Sequence, residues 1–101
     1  MAAEHPLVRD VFPEFSAELV TLLEEEGERE LSGRARDLRL VMDCGCGEDF
    51  CQSFYTAPPP DGAYGPGHRC VPLTPAGWLL VLDVVGEQIM FVEILDRPPL
   101  T

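Results

Sequence analysis

The apolar segment WLLVLDVVGEQIMFVEIL, residues 78–95, constrains the fold more than any other part of the sequence. Apolar residues dominate both of its halves, and Gly86 followed by Glu87 divides it near the middle. A glycine at the first position of a two-residue loop is typical of a type II′ turn between antiparallel strands. The segment therefore predicts a β-hairpin that turns at these two residues.

The register of this hairpin predicts how its side chains divide between two faces. Pairing across the turn gives Val85 with Gln88, Val84 with Ile89, Leu82 with Phe91, and Trp78 with Leu95. One face then carries Trp78, Leu80, Leu82, Val84, Ile89, Phe91 and Leu95, and the other carries Leu79, Val81, Val85, Met90, Val92 and Ile94. Because both faces are apolar, we expect a helix on one and N-terminal residues, a proline-rich loop or a second subunit on the other. The apolar second face therefore predicts a homodimer or a docking surface, whose occupant would be another protein or a small ligand.

The N-terminal part of the chain predicts an amphipathic helix over residues 10–27. Its apolar face is formed by four residues at helical spacing, Phe15, Leu19, Leu22 and Leu23. Pro13 suits the first helical position, where its missing N–H is not needed, and Gly27 suits the end. A second short helix is expected to end by Gly33.

Three shorter segments between the helical part and the hairpin have strand character. They are LRLVM (38–42), CQSFYT (51–56) and RCVPL (69–73). The first two are expected to form a hairpin around residues 45–49. Pro72 in the third favours the edge of a sheet or a bulge.

Together these patterns predict a single α+β domain over residues 1–101. A helical segment, residues 10–36, is expected to pack on a four- to five-stranded antiparallel sheet, residues 37–97. A short C-terminal tail follows. A chain of 101 residues is long enough to bury a modest core.

The charge of the chain excludes some classes of partner. Its 18 acidic and 7 basic residues give a net charge of −11, which repels phosphate backbones and anionic lipid headgroups. The N-terminus has no basic start followed by an apolar run, and no apolar segment reaches the ~20 residues that span a bilayer. We therefore expect a cytoplasmic protein that binds neither nucleic acid nor membrane, with reduced thiols.

The segment DCGCGEDFC holds three of the four cysteines, Cys44, Cys46 and Cys51. A hairpin around residues 45–49 brings Cys44 close to Cys51 and leaves Cys46 in the turn. Thiolates are favoured structural ligands of zinc, which takes four of them in a tetrahedron. The pattern predicts a zinc site whose fourth ligand is His68 or Cys70.

Other interpretations of the cysteines stay open. The thiols can be reduced without a metal, Cys44 and Cys51 can form a disulfide, or one thiol can be reactive. Geometry also weighs against Cys70 as a ligand. If strands 51–56 and 69–74 pair around the proline-rich loop, Cys70 lies about 16 Å from Cys51 at ordinary strand rise.

The proline- and glycine-rich loop APPPDGAYGPGH, residues 57–68, is long for so small a domain, and such loops are often functional. Tyr55, Tyr64, His68 and Arg69 flank it or lie in it and can line a groove for a small molecule or a peptide. In that case residues 57–69 serve as a lid.

The sequence carries no nucleophile elbow, phosphate-binding loop, dinucleotide fingerprint or H-E-x-x-H motif. No catalytic residue is therefore assigned, and an enzyme is less expected than a binding or assembly module with a zinc-stabilised turn. The enzymatic alternative is a Cys–His site that pairs Cys51 or Cys46 with His68.

Residues 44–69, CGCGEDFCQSFYTAPPPDGAYGPGHR, resemble a family of small bacterial proteins, mostly from high-GC actinobacteria. The shared features are a helix, a C-x-C-G turn, an FYT strand, a loop that ends in GPGHR, and a VLDVV…VEIL hairpin. The resemblance extends over residues 13–97 and brings no established activity with it.

The resemblance has one implication for a metal site. The cysteines of the shared pattern, with His68 as a further candidate, are implied as the ligands: Cys44, Cys46 and Cys51. Cys70 is implied to be incidental, which favours the version of the site with three cysteines.

Overall fold

The computed structural model describes residues 5–100 and confirms the α+β architecture. The described residues form three helices, α1 (Val8–Val11), α2 (Pro13–Glu25) and α3 (Arg29–Ala35). Five strands follow, β1 (Met42–Asp43), β2 (Phe54–Tyr55), β3 (His68–Leu73), β4 (Leu79–Val85) and β5 (Gln88–Leu95). Within this part of the chain, no helix combines the length and the apolar character needed to cross a bilayer.

Helix α2 buries the face that its apolar spacing predicts, but it spans Pro13–Glu25 rather than residues 10–27, and Asp10 and Val11 belong to α1. Pro13 occupies its first turn, and Phe15, Leu19 and Leu23 are fully buried. The Phe15 ring packs edge-on against Phe54 of the sheet, with ring centroids 6.1 Å apart. Gly27 ends the helical region with a φ of +76°, and its N–H donates to the Glu24 carbonyl at 3.0 Å.

Helix α3 continues through Gly33, so the predicted end at that residue is wrong. A glycine inside a helix costs about 1 kcal/mol relative to alanine. Leu31 and Ala35 are completely buried on either side of it, and burial of apolar side chains of this size offsets such a cost. Tertiary packing therefore outweighs the local preference.

The strands form one antiparallel sheet in the order β1-β2-β5-β4-β3. Pro72 lies in β3 at an edge, as predicted. The predicted strand 38–42 is reduced to Met42–Asp43. Residues 38–40 pair with the N-terminal segment instead, since the Val8 N–H donates to the Leu38 carbonyl and the Leu40 N–H donates to the Pro6 carbonyl, both at 2.8 Å.

The β4–β5 hairpin turns at Gly86 and Glu87, as predicted, but the turn type differs. The φ angles of the two residues are +53° and +65°. Positive φ at both central positions defines a type I′ turn, so the predicted type II′ turn is wrong. Glycine suits the first of these positions, and Glu87 adopts the left-handed conformation without that advantage.

A β-bulge changes the predicted register of this hairpin. Val84 pairs with Ile89 as predicted, but the register shifts at Asp83, which lies opposite Phe91. Met90 is thus an extra residue in β5. The predicted pairs of Leu82 with Phe91 and of Trp78 with Leu95 are wrong; Val92 and Leu79 are the actual partners.

The bulge decides which side chains enter the core. Six hairpin residues on one face are almost completely buried: Leu80, Leu82, Val84, Ile89, Val92 and Ile94. They pack with the buried residues of α1, α2 and α3 in one cluster. Val92 and Ile94 were predicted for the opposite face, and the extra residue in β5 moves them to this one. We call it the core face.

The opposite face, which we call the outer face, is only partly covered. Alternation along the strands and the cross-strand pairs assign it six residues with chemistry of interest: His68, Cys70, Asp83, Phe91, Glu93 and Tyr55. The proline-rich loop reaches this face through Tyr64, whose ring lies 4.8 Å from the His68 ring. Coverage by a second subunit stays a prediction.

Arg69 lies on the core face and links three elements. Its guanidinium donates two hydrogen bonds to the Glu28 carboxylate, both at 3.0 Å, and one to Glu87 at 2.9 Å. Strand β3 is thereby tied to the start of α3 and to the β4–β5 turn. The forked contact with Arg69 holds the pKa of Glu28 below its usual value.

We predict that Glu28→Gln destabilises the protein by about 1 kcal/mol at neutral pH, because it replaces a charged, forked hydrogen bond at a partly exposed site. The pKa of Glu28 is lowered on folding, so the ionised carboxylate contributes stability above about pH 4.5, the usual pKa of a glutamate, and this stability is lost as the pH falls through the folded pKa. Denaturant unfolding of both proteins from pH 7 to pH 3 measures this difference. Glu25→Gln, an exposed acid of α2, is the matched control; a constant difference at every pH would contradict the role of ionised Glu28.

Candidate metal centre

The β1–β2 hairpin brings three cysteine thiols together. Its register pairs Met42 with Tyr55, and the Cys44 N–H donates to the Ser53 carbonyl at 3.1 Å. At the tip, the Cys51 N–H donates to the Glu48 carbonyl at 3.1 Å. The predicted meeting of Cys44 and Cys51 at a hairpin tip is confirmed.

The sulfur atoms of Cys44, Cys46 and Cys51 all lie within 4.8 Å of one another, and we call them the cysteine triad. Cys44 Sγ and Cys51 Sγ are 3.3 Å apart. Zinc–sulfur bonds of about 2.3 Å in a tetrahedron place sulfurs about 3.8 Å apart. The triad therefore has the spacing of a thiolate metal site, and all four cysteines, which lie in the described range, are free thiols.

Two glycines allow the turn to curl in this way. Gly45 and Gly47 have φ angles of +79° and +75°, a region that side chains with a Cβ rarely adopt. This conformation lets the Cys46 N–H donate to Cys44 Sγ at 3.4 Å. A backbone donor of this kind stabilises negative charge on sulfur.

The thiols of Cys44 and Cys51 have pKa values shifted in opposite directions. At Cys44 the backbone N–H of Cys46 favours the thiolate, but the Cys46 thiol, burial and the neighbouring Cys51 together outweigh it and raise the pKa of Cys44 to about 11. At Cys51 burial favours the thiol, yet hydrogen bonds from Ser53 and from the other two cysteines outweigh burial and lower its pKa. Negative charge in the triad therefore collects first on Cys51.

Further potential ligands surround the triad. A groove that contains the three thiols is also lined by His5, Asp43 and Glu48. The N-terminal segment reaches this place because it runs beside residues 39–40, where Arg39 donates to the His5 carbonyl at 2.8 Å. Sequence reasoning missed His5, because this neighbourhood depends on a pairing between segments more than thirty residues apart.

The structure does not bring His68 or Cys70 to the triad. Both lie on β3, and β4 and β5 separate that strand from β2. At about 4.8 Å per strand, β2 and β3 are about 14 Å apart, too far for a shared ion. The predicted fourth ligand and the alternative Cys–His pairs of Cys46 or Cys51 with His68 are therefore not formed, because the loop crosses to the far edge of the sheet.

His68 and Cys70 instead contact Asp83 on the outer face. His68 Nε2 and Asp83 Oδ1 are 2.8 Å apart, and the Cys70 thiol donates to the same oxygen at 3.4 Å. The hydrogen bond and charge of Asp83 raise the pKa of Cys70. Sequence reasoning did not connect Asp83 with these residues, although its charge interrupts an otherwise apolar strand.

The four residues predicted to line a groove are divided between the two faces. Tyr64 stacks near His68, and burial followed by the charge of Asp83 raises the pKa of Tyr64. Tyr55 packs on Phe91 with ring centroids 4.5 Å apart. Arg69 points to the core face and binds Glu28 and Glu87, so it does not join the other three.

The two clusters differ in the chemistry they offer a cation. The triad supplies three sulfur donors, whereas His68, Cys70 and Asp83 supply nitrogen, sulfur and oxygen, with their ligand atoms also within 4.8 Å of one another.

Comparison with protein-family models, with curated proteins and with solved structures finds no match to this chain.

Ser53→Ala is predicted to lower the reactivity of Cys51 in the metal-free protein. The buried Ser53 hydroxyl lies 3.2 Å from Cys51 Sγ, where it accepts from the thiol and, once Cys51 is ionised, rotates to donate to the thiolate; it also accepts from the Ile94 N–H at 2.8 Å. Its loss removes an interaction that lowers the pKa of Cys51, and a pKa higher by one reduces the thiolate fraction about tenfold at lower pH. Peptide-resolved alkylation rates across pH 6–10 measure the change.

The same variant is expected to lose about 1–3 kcal/mol of stability, because the Ile94 N–H is left without its partner. Ser32→Ala is the matched control, since that buried hydroxyl donates to Arg29 within α3 at 2.9 Å. It is expected to leave the alkylation of Cys51 unchanged. Equal alkylation profiles for wild type and Ser53→Ala would show that Ser53 does not tune the thiol.

Proposed function

We propose that the protein is a small binding or assembly module whose cysteine triad holds a thiophilic divalent cation, zinc being the best match. The observation that carries this proposal is the convergence of three sulfurs within 4.8 Å on one hairpin tip. Zinc binds thiolates without redox chemistry and accepts tetrahedral geometry readily. The role of the ion is to stabilise the turn.

The charge around the turn supports a cation rather than a reactive thiol. Asp43, Glu48 and Asp49 are close in sequence to the three thiols, and negative neighbours disfavour free thiolates. A dication reverses this effect, because it displaces the thiol protons and attracts the carboxylates. Zinc affinity should therefore rise with pH as the Cys44 proton, held with a pKa of about 11, becomes easier to displace.

The fourth coordination position has candidates in the same groove. His5, Asp43 and Glu48 line it, and a water molecule is the remaining option. Cys44 and Cys51 are half-buried while Cys46 is exposed, so an ion would lie near the surface at the edge of the sheet. This position suits a structural role in fixing the turn better than it suits an enclosed reaction site.

Metal analysis of protein purified without added metal or chelator tests the proposal. We expect about one tightly bound zinc per triad and, after exchange, a cobalt spectrum with strong thiolate-to-metal charge transfer and tetrahedral bands. Removal of the metal is expected to loosen residues 43–52 and to lower the thermal midpoint. A metal-free chain with a Cys44–Cys51 disulfide, or with four thiols that react fast before unfolding, would contradict the proposal.

Two variants separate the triad from the remaining cysteine. Cys44→Ser combined with Cys51→Ser should abolish the thiolate-rich cobalt spectrum, because only one of the three sulfurs remains. Cys70→Ser is the matched control, since it removes a thiol at the opposite edge of the sheet, and it should retain that spectrum. If Cys70→Ser lost the thiolate-rich spectrum and the double variant kept it, the spectrum would arise from Cys70, and the proposed role of the triad would be wrong.

We further propose that the outer face of the sheet mediates self-association. Two of its residues, Met42 and Leu79, are large apolar side chains with exposed fractions of 51% and 43%. The chain has a net charge of −11, yet Asp83 and Glu93 are the only acids on the outer face among the described strand residues. A second copy of the chain meets less repulsion there than on the rest of an acidic surface.

Light scattering coupled to size exclusion tests this assembly. We expect the wild type to approach twice its 11.2 kDa mass at high concentration, and Leu79→Glu to return it to a single chain, because a buried, unpaired charge opposes association. Phe50→Glu is the matched control: Phe50 is exposed to a similar extent, 51% against 43% for Leu79, but lies at the tip of the cysteine turn. A mass of one chain for the wild type at every concentration would contradict the proposal.

A further inference from the structure

His68, Cys70 and Asp83 are brought together by strand pairing rather than by a loop. His68 and Cys70 are two residues apart on β3, so their side chains share the outer face. Asp83 of β4 lies directly opposite Cys70 in the ladder. The three ligand atoms are all within 4.8 Å of one another. We call this set the outer-face cluster.

We propose that the outer-face cluster is a second divalent-cation site, independent of the cysteine triad, that takes Zn²⁺ or Co²⁺ through one nitrogen, one sulfur and one oxygen. Imidazole, thiolate and carboxylate are the three ligand types that zinc uses, with bonds of about 2.0–2.3 Å. Bonds of that length in a tetrahedron place ligand atoms about 3.3–3.8 Å apart. The observed contacts of 2.8 and 3.4 Å to Asp83 therefore need only small movements.

The direction of the hydrogen bonds favours a cation over a nucleophilic thiol. In a Cys–His nucleophile, the imidazole accepts the thiol proton. Here the imidazole and the thiol both point at one oxygen of Asp83, and the thiol donates to the carboxylate. A cation among the three ligand atoms would displace the thiol proton and bind the same Asp83 oxygen. The side chains of His68 and Cys70 already point to that oxygen, so little rearrangement is needed.

The surroundings of the cluster hold its side chains in place and add negative charge. The Tyr64 ring of the proline-rich loop packs against the His68 ring, with ring centroids 4.8 Å apart. Glu93 is near enough to act electrostatically on Cys70. The side chains of His68 and Asp83 are 32% and 25% exposed, so an ion can enter from solvent and retain water in its open coordination positions.

Cobalt titration of a chain that lacks the triad tests this site alone. In Cys44→Ser/Cys46→Ser/Cys51→Ser we expect one Co²⁺ per chain, with weaker charge transfer than at the triad, because one thiolate binds instead of three. Adding Asp83→Asn or His68→Ala should weaken Co²⁺ binding at least about tenfold. Mutating a residue that only hydrogen-bonds to a metal ligand already reduces metal affinity by about 10–100-fold. Asp61→Asn, an exposed acid of the proline-rich loop, is the matched control and should not change the affinity.

A second measurement covers the case in which the triple variant does not fold. In the otherwise unchanged chain, Asp83→Asn should reduce the bound Co²⁺ from two ions to one and remove the metal-induced shift of the His68 ring signals in the NMR spectrum. Identical stoichiometry and identical His68 signals in wild type and Asp83→Asn would overturn the proposal. In the wild type, absence of a thiolate-rich spectrum together with a metal-induced shift of the His68 signals would contradict the proposed triad site and leave the outer-face site standing.

Discussion

The β-bulge in the β4–β5 hairpin is the constraint on which the rest of the structure depends. Apolar residues fill almost every position of this hairpin, so either set of side chains could have entered the core. Met90 is an extra residue in β5, and it moves Val92 and Ile94 onto the core face. Phe91 is left opposite Asp83 on the outer face, where a charged side chain remains accessible.

The triad could be predicted because its residues are close in sequence. The outer-face cluster could not, because its residues lie on two separate strands. Cys44 and Cys51 are joined by a short turn with two glycines, so a local hairpin brings them together whatever the rest of the fold does. His68 and Asp83 meet only because β3 pairs with β4 in one particular register. The sequence predicted neither that pairing nor its register, since the one pairing considered for β3 was a conditional hairpin with strand 51–56.

The fold as a whole follows the same division between local and non-local information. The buried face of α2, the position of the β4–β5 turn and the edge location of Pro72 depend on nearby residues, and the sequence predicted all three. The continuation of α3 through Gly33 depends on burial against distant elements, and the partners of Arg69 come from α3 and the β4–β5 turn. Contacts between distant residues do not affect the local sequence pattern, so neither the extent of α3 nor the partners of Arg69 were predicted from the sequence.

The separation of the two clusters determines how far they can influence each other. About 14 Å lies between β2, next to the triad, and β3, which carries two residues of the outer-face cluster. The Debye length at physiological ionic strength is about 8 Å, so a dication in one cluster is largely screened from the other. The net charge of −11 attracts cations to the whole molecule and does not distinguish the two clusters. The ligand atoms of each cluster therefore determine which cation it prefers. Three thiols favour soft cations, whereas the mixed donors at His68, Cys70 and Asp83 accept harder ones as well, because each donor type prefers ions of matching softness.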